Sequence, residues 1–126
     1  MSLPRAASAM LAALAAVAAL AATSCSQDTL ASRQVDGVAA TVHLIGSPET
    51  VGVFRPGNVH VTAGQTVAWL NASGNYHTVT FETAGLTSSP GFGPGKIFEM
   101  RFDRPGVYRY RCEYHQGMTG EVTVSP

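Results

Sequence analysis

Gly106-Val107-Tyr108-Arg109-Tyr110-Arg111-Cys112-Glu113-Tyr114-His115-Gln116-Gly117-Met118-Thr119-Gly120-Glu121-Val122-Thr123-Val124 is the stretch from which the fold of this chain is read. Its first part alternates. Successive side chains of a strand point to opposite faces, so Tyr108, Tyr110 and Cys112 share one face and Arg109 and Arg111 share the other. Arginines rarely face a core without partners. Cys112 therefore points inward, at the end of a strand running from Val107. Gly120 to Val124 is a second strand, and the residues between reverse the chain.

The same period extends outward from this unit. Ala40 to Ile45 alternates, with Val42 and Leu44 on one face. Asn58 to Thr62 is a strand closed by the turn Ala63-Gly64-Gln65. Thr66 to Asn71 is another, and Ala72-Ser73-Gly74-Asn75 turns the chain into Tyr76 to Phe81. Thr83 to Gly95 is rich in Gly, Ser, Thr and Pro and reads as loop. Lys96 to Phe102 alternates, with Phe98, Met100 and Phe102 on one face, before the turn Arg104-Pro105-Gly106. Short strands at regular spacing with turn signals predict an all-β sandwich or barrel. No segment after residue 36 has a convincing helical period. Trp69, Phe81, Phe98, Phe102, Tyr108 and Tyr110 supply the large side chains of a core, each worth roughly 1.5–3 kcal/mol when buried.

The start of the chain is of another kind. Met1 to Arg5 carries one positive charge, and Ala6 to Ala22 is nearly all Ala, Leu, Met and Val. A short basic start followed by a short apolar run reads as an export signal. Ala22-Thr23-Ser24-Cys25 then resembles the processing signal of bacterial lipoproteins, in which the Cys becomes the lipidated N-terminus. Ordinary cleavage after a small residue is the alternative. The chain thus divides into a signal at 1–24, a polar flexible tether at 25–36 and a domain at 37–126. Export places the protein outside the cytoplasm, at the outer face of the membrane through Cys25 or in the periplasm. Such compartments permit disulfides, yet the chain has 2 Cys and one lies in the processing region. Cys112 is then unpaired unless it ties to Cys25, and an odd thiol in an exported protein calls for a use.

Charge narrows the partners. From Cys25 onward seven basic and eight acidic residues are interspersed. No run of like charge points to nucleic acid or to an anionic membrane surface.

Cys112, His115 and Met118 place a thiolate, an imidazole and a thioether three residues apart each time. Soft sulfur with imidazole selects copper, and two His, one Cys and a weak axial Met form the blue-copper set. His77, after a strand-like run upstream, is the candidate second His. Met118 as a packing residue above the metal stays open. His43 and His60 sit at ordinary strand positions and read as structural.

Phe54-x-Pro56, Val61-x-x-Gly64-x-x-Val67-x-Trp69-x-Asn71, His77 and the run from Gly106 through Cys112, His115 and Met118 to Val124 together resemble the cupredoxins, of the plastocyanin and amicyanin type. The likeness covers roughly residues 50–126. It implies a Greek-key β-sandwich or barrel of about seven to eight strands. It also implies one copper per chain, held by His77, Cys112 and His115 with Met118 as distant axial ligand. Asn71 matches the family's Asn after Trp, which orders the loop before the first His. Thr78 stands where the family often has an Asn that braces the Cys loop, and its hydroxyl can do part of that work.

The function implied is single-electron transfer between redox partners outside the cytoplasm, by a monomer with no catalytic residues. Partners would dock weakly and transiently near His115, on a flat patch formed by Tyr114, Phe92, Pro94 and Met118. No partner is a nucleic acid, and any tie to the membrane is through lipid at Cys25. Copper storage or delivery is the alternative function, disfavoured by the scarcity of Met around the motif. A plain adhesive sandwich with a vestigial site is the third.

Overall fold

The computed structural model describes Leu30, residues 33–47 and residues 49–126. The export signal, most of the tether and Cys25 lie outside the described residues. Eight strands follow in order: β1 (Ala40–Ile45), β2 (Val53–Arg55), β3 (Asn58–Thr62), β4 (Gln65–Asn71), β5 (Thr80–Phe81), β6 (Ile97–Phe102), β7 (Gly106–Arg111) and β8 (Thr119–Ser125). They form two four-stranded sheets, ordered β2-β1-β4-β6 and β3-β8-β7-β5. β1 runs parallel to β4 and β3 parallel to β8, and the remaining ladders are antiparallel. Neither sheet closes on itself, so the architecture is a sandwich and the barrel alternative is not realised.

Alternation built the faces as read. In β7 the Arg side chains are exposed while Tyr110 is buried, and in β6 Phe102 is buried between exposed charged neighbours. Trp69, fully buried on β4, joins the two sheets. Its ring meets Phe81 edge-on at 5.8 Å and Tyr110 edge-on at 5.4 Å, both from the opposite sheet. Edge-to-face contacts of this kind suit the charge distribution of aromatic rings. Asn71 lies two residues beyond Trp69, and Cys112 two beyond Tyr110. The period of two therefore carries the inward faces of β4 and β7 to the same end of the sandwich.

Two expectations change. β2 is an unforeseen short strand, paired to β1 from His43↔Arg55 to Ile45↔Val53. The strand expected over Tyr76 to Phe81 keeps only Thr80 and Phe81. The reason is where its backbone groups find partners, because buried amides must be paired somewhere. His77 exchanges backbone bonds with Phe92 at 3.2 and 2.9 Å. Val79 N–H donates to Ser89 Oγ, and Phe81 N–H to Ser88 Oγ. The Gly- and Ser-rich loop thus takes the place of a neighbouring strand. At the other end, Val35 N–H donates to Thr41 Oγ1 and the ring of buried His43 meets the Arg33 carbonyl.

Candidate metal centre

Cys112 stands one residue past β7, at the mouth of the loop that leads to β8. That loop is closed by its own backbone. Cys112 N–H donates to the Met118 carbonyl at 2.9 Å, and Met118 N–H to the His115 carbonyl at 3.2 Å. Gly117, with φ of 84°, makes the reversal in a conformation that side chains disfavour. A seven-residue turn so closed aims Cys112, His115 and Met118 at one place.

His77 arrives from the opposite side, held by its backbone pair with Phe92. The ring is fully buried. Its Nδ1 lies 3.7 Å from Cys112 Sγ, and His115 Nδ1 lies 3.5 Å from the same sulfur. The three donor atoms are all within 4.8 Å of one another. Bonds of about 2.0–2.3 Å meeting at tetrahedral-to-trigonal angles separate N and S donors by roughly 3.6–3.8 Å. The two sulfur–nitrogen separations fall at that spacing. Cys112, the cysteine among the described residues, is a buried free thiol.

The electrostatics favour a ligand as well. Burial, and secondly the neighbouring charge of His115, lower the His77 pKa from 6.5 to about 4. The ring is therefore neutral at physiological pH and keeps a lone pair for a metal. His115 is half-buried, the most accessible of the three.

Met118 is almost fully buried beneath the same site. Its sulfur and the His77 ring both crowd Gly52. A Cβ on Gly52 would stand 2.9 Å from Met118 Sδ and 2.7 Å from His77 Cε1. Gly46 in turn backs Gly52, where an added Cβ would lie 3.0 Å from the Gly52 Cα. Two bare backbone segments are thus layered against the centre. Nothing local in the sequence marks Gly52, which is 25 residues from His77 and becomes visible only in the tertiary structure.

The surrounding hydrogen bonds assign work to Asn71 and Thr78. Asn71 Nδ2 donates to the carbonyls of Asn75 and Phe92, tying the turn before His77 to the loop after it. Thr78 N–H approaches Cys112 Sγ at 3.4 Å, and Thr78 Oγ1 accepts the Glu113 N–H at 2.9 Å. The hydroxyl is thereby tied to the backbone one residue past Cys112. Ser73 is an unforeseen member: its Oγ lies 2.7 Å from His77 Nε2. The signal available was its place four residues before His77 in the turn after Trp69 and Asn71.

The surface at this end differs from the expected patch. Phe92 and Met118 are buried and cannot be touched by a partner, because Phe92 packs into the core cluster and Met118 under the centre. Tyr114 and Pro94 are exposed as expected. Tyr76 and Val51 join them, exposed by 63% and 62%. The Tyr114 and Tyr76 rings lie over Gly91 and Gly93, the two neighbours of Phe92. His60 is exposed on β3, and neither it nor His43 belongs to the cluster.

Known proteins are similar to this chain in sequence and in fold. The profile of the family described as copper binding proteins, plastocyanin/azurin family, matches residues 41–125. Plastocyanin of Scenedesmus fuscus is 34% identical over 92 residues, covering 64% of this chain and 94% of that protein. The chloroplastic plastocyanin of Physcomitrium patens is 36% identical over 99 residues, covering 69% and 58%. Among solved structures, a purple cupredoxin from Nitrosopumilus maritimus superposes with a TM-score of 0.62 at 30% identity, over 68% of this chain and 99% of that one. A reduced Cu(I) amicyanin variant superposes with a TM-score of 0.60 at 28% identity, over 75% and 89%.

Proposed function

The chain belongs to the plastocyanin/azurin family of copper binding proteins, and from that membership we propose that it is a mononuclear type 1 copper electron carrier working outside the cytoplasm. It is a cupredoxin-type electron-transfer protein and not an enzyme, in keeping with the non-catalytic carriers to which it is similar. The proposed ligands are Nδ1 of His77, the Cys112 thiolate and Nδ1 of His115, with the Met118 sulfur as a weak axial fourth. One copper per chain would supply a one-electron couple. The observation that carries this reading is the pair of distances, 3.7 and 3.5 Å, from a buried thiol to two imidazole nitrogens.

The protein's own contribution is rigidity and access. Backbone pairs hold His77 to Phe92 and Cys112 to Met118, so the fold itself anchors the segments that carry the donors. A site that moves little between oxidation states needs little reorganisation for each electron. His115 is the donor that reaches the surface, which makes its ring the exit. Tyr76, Tyr114, Pro94 and Val51 offer an uncharged surface at that end for transient docking of a redox partner. The export signal at 1–24 would direct the chain out of the cytoplasm and be removed, and a lipid on Cys25 would then hold the monomeric domain at the outer face of the membrane through the tether at 25–36.

The test is a visible absorption titration of the purified protein with Cu(II), beside Cys112→Ser. The expected result is an intense thiolate-to-copper band that saturates at one copper per chain and is absent from the variant. A band equal in both proteins, or none in either, would remove Cys112 from the ligand set and the proposal with it. Bleaching by a reductant and return on reoxidation without copper loss separates electron transfer from storage.

A further inference from the structure

Asn71, Ser73 and His77 form a buried chain of hydrogen bonds whose proton positions can be worked out one at a time. Asn71 is fully buried. One end of its amide faces two carbonyl oxygens, of Asn75 at 2.7 Å and Phe92 at 3.0 Å. Carbonyl oxygens only accept, so that end is the NH₂ group and both its protons are used. The other end is then Oδ1, which can only accept. It faces Ser73 N–H at 3.0 Å and Ser73 Oγ at 2.8 Å.

Ser73 has one hydroxyl proton, and Asn71 Oδ1 takes it. The longer approach of the same hydroxyl to the Asn75 carbonyl, 3.4 Å, is the weaker competitor. What remains on Ser73 Oγ is acceptor capacity. It receives the Asn75 N–H at 3.1 Å and faces His77 Nε2 at 2.7 Å. Two lone pairs cannot meet at that distance, so Nε2 must bring the proton.

We infer that Ser73, oriented by Asn71, is a positioning residue that holds His77 in the tautomer protonated on Nε2, leaving Nδ1 bare and turned toward Cys112 and His115. A neutral imidazole carries one proton and can bind a metal only through the other nitrogen. The turn before His77 therefore prepares the ligand before any metal arrives. A partner on the far nitrogen also fixes the ring's rotation, and loss of such partners typically costs 10–100-fold in metal affinity. The consequence for copper rests on the ligand role proposed above for His77. The tautomer itself does not.

The experiment is a long-range ¹H–¹⁵N correlation spectrum of the histidine rings in the ¹⁵N-labelled, metal-free, full chain at neutral pH. The expected result is a protonated Nε2 and a bare Nδ1 at His77. Ser73→Ala should give a population protonated on Nδ1 and bind Cu(II) about 10–100-fold more weakly, and Ser73→Thr, which keeps a hydroxyl, should restore the single tautomer. A wild-type ring protonated on Nδ1 overturns the inference without any variant. So does a Ser73→Ala ring that keeps one tautomer and full copper affinity. If the inference falls while the thiolate-to-copper band persists, the metal site stands without it. If the tautomer is as inferred but no band forms, the ligand proposal falls and the relay remains.

Discussion

His77 is kept as a neutral base by burial and by a second imidazole beside it, and this has a consequence for stability. The unfolded chain takes up a proton at this residue near pH 6.5, and the folded chain only near pH 4. Between those values the unfolded state binds more protons, so stability rises with pH across the window. The contribution is complete above pH 6.5 and is lost as pH falls through 4. Its ceiling is about 3 kcal/mol, at about 1.36 kcal/mol for each pH unit between the two values. Urea midpoints of the metal-free protein should therefore fall between pH 6.5 and pH 4 relative to those of His77→Gln. Parallel curves for the two proteins would show that His77 does not titrate in this way.

At the scale of elements, the centre is a meeting of three connections: the segment 46–52, the turn 72–77 and the loop 112–118. Each brings a different means of control. The 112–118 loop brings spacing, and the turn brings the hydrogen bonds of Asn71 and Ser73. The 46–52 segment brings close approach, because Gly52 presents no side chain to Met118 and His77. Asn75 ties the turn to this segment by donating to the Ser47 carbonyl at 3.2 Å. Gly52→Ala would place a methyl less than 3 Å from both the His77 ring and the Met118 sulfur, and both are hemmed in by packing. Overpacking of this kind costs about 1–3 kcal/mol. The variant should unfold at lower urea concentration, and its copper spectrum should change as Met118 is displaced. Wild-type stability together with a wild-type spectrum would mean that the segment yields easily and does not hold the sulfur.

At the largest scale the described domain is a closely packed sandwich of balanced charge. Trp69 joins the sheets through Phe81 and Tyr110, and the core it anchors runs from Phe102 at one end to Met118 at the other. Burial also pushes the Tyr110 phenol up to about 12, so this ring stays neutral at physiological pH. The surface charges are balanced, eight basic against eight acidic over the chain. Several are matched locally, as in Arg109 with Glu121 and Arg101 with Asp103. Exposed pairs like these add little stability, but among the described residues they set charges of opposite sign side by side. Electron exchange with a redox partner should then change less than about tenfold between low and physiological ionic strength. A steep fall of the rate with added salt, followed by stopped flow, would reveal a charged docking face that the charge pattern does not show.

Most of the sandwich was legible because strand periodicity is local. Tyr108, Tyr110 and Cys112 had to share a face whatever lay opposite, and three-residue steps from Cys112 to His115 to Met118 keep those donors within the reach of one short loop. The sequence by itself therefore determined an all-β fold, the inward direction of Cys112 and the candidate donors. It could not determine contacts between distant segments, since these depend on how the two sheets and their connections pack. The shortening of the strand before Phe81 followed from Ser88, Ser89 and Phe92 folding back to take its backbone bonds. Phe92 and Met118 pack into the core cluster, while Tyr76 and Val51 lie at the surface. Gly52 against Met118, and Ser73 against His77, are likewise decisions of tertiary structure. A close approach is a property of two surfaces, and the chain states only one of them at a time.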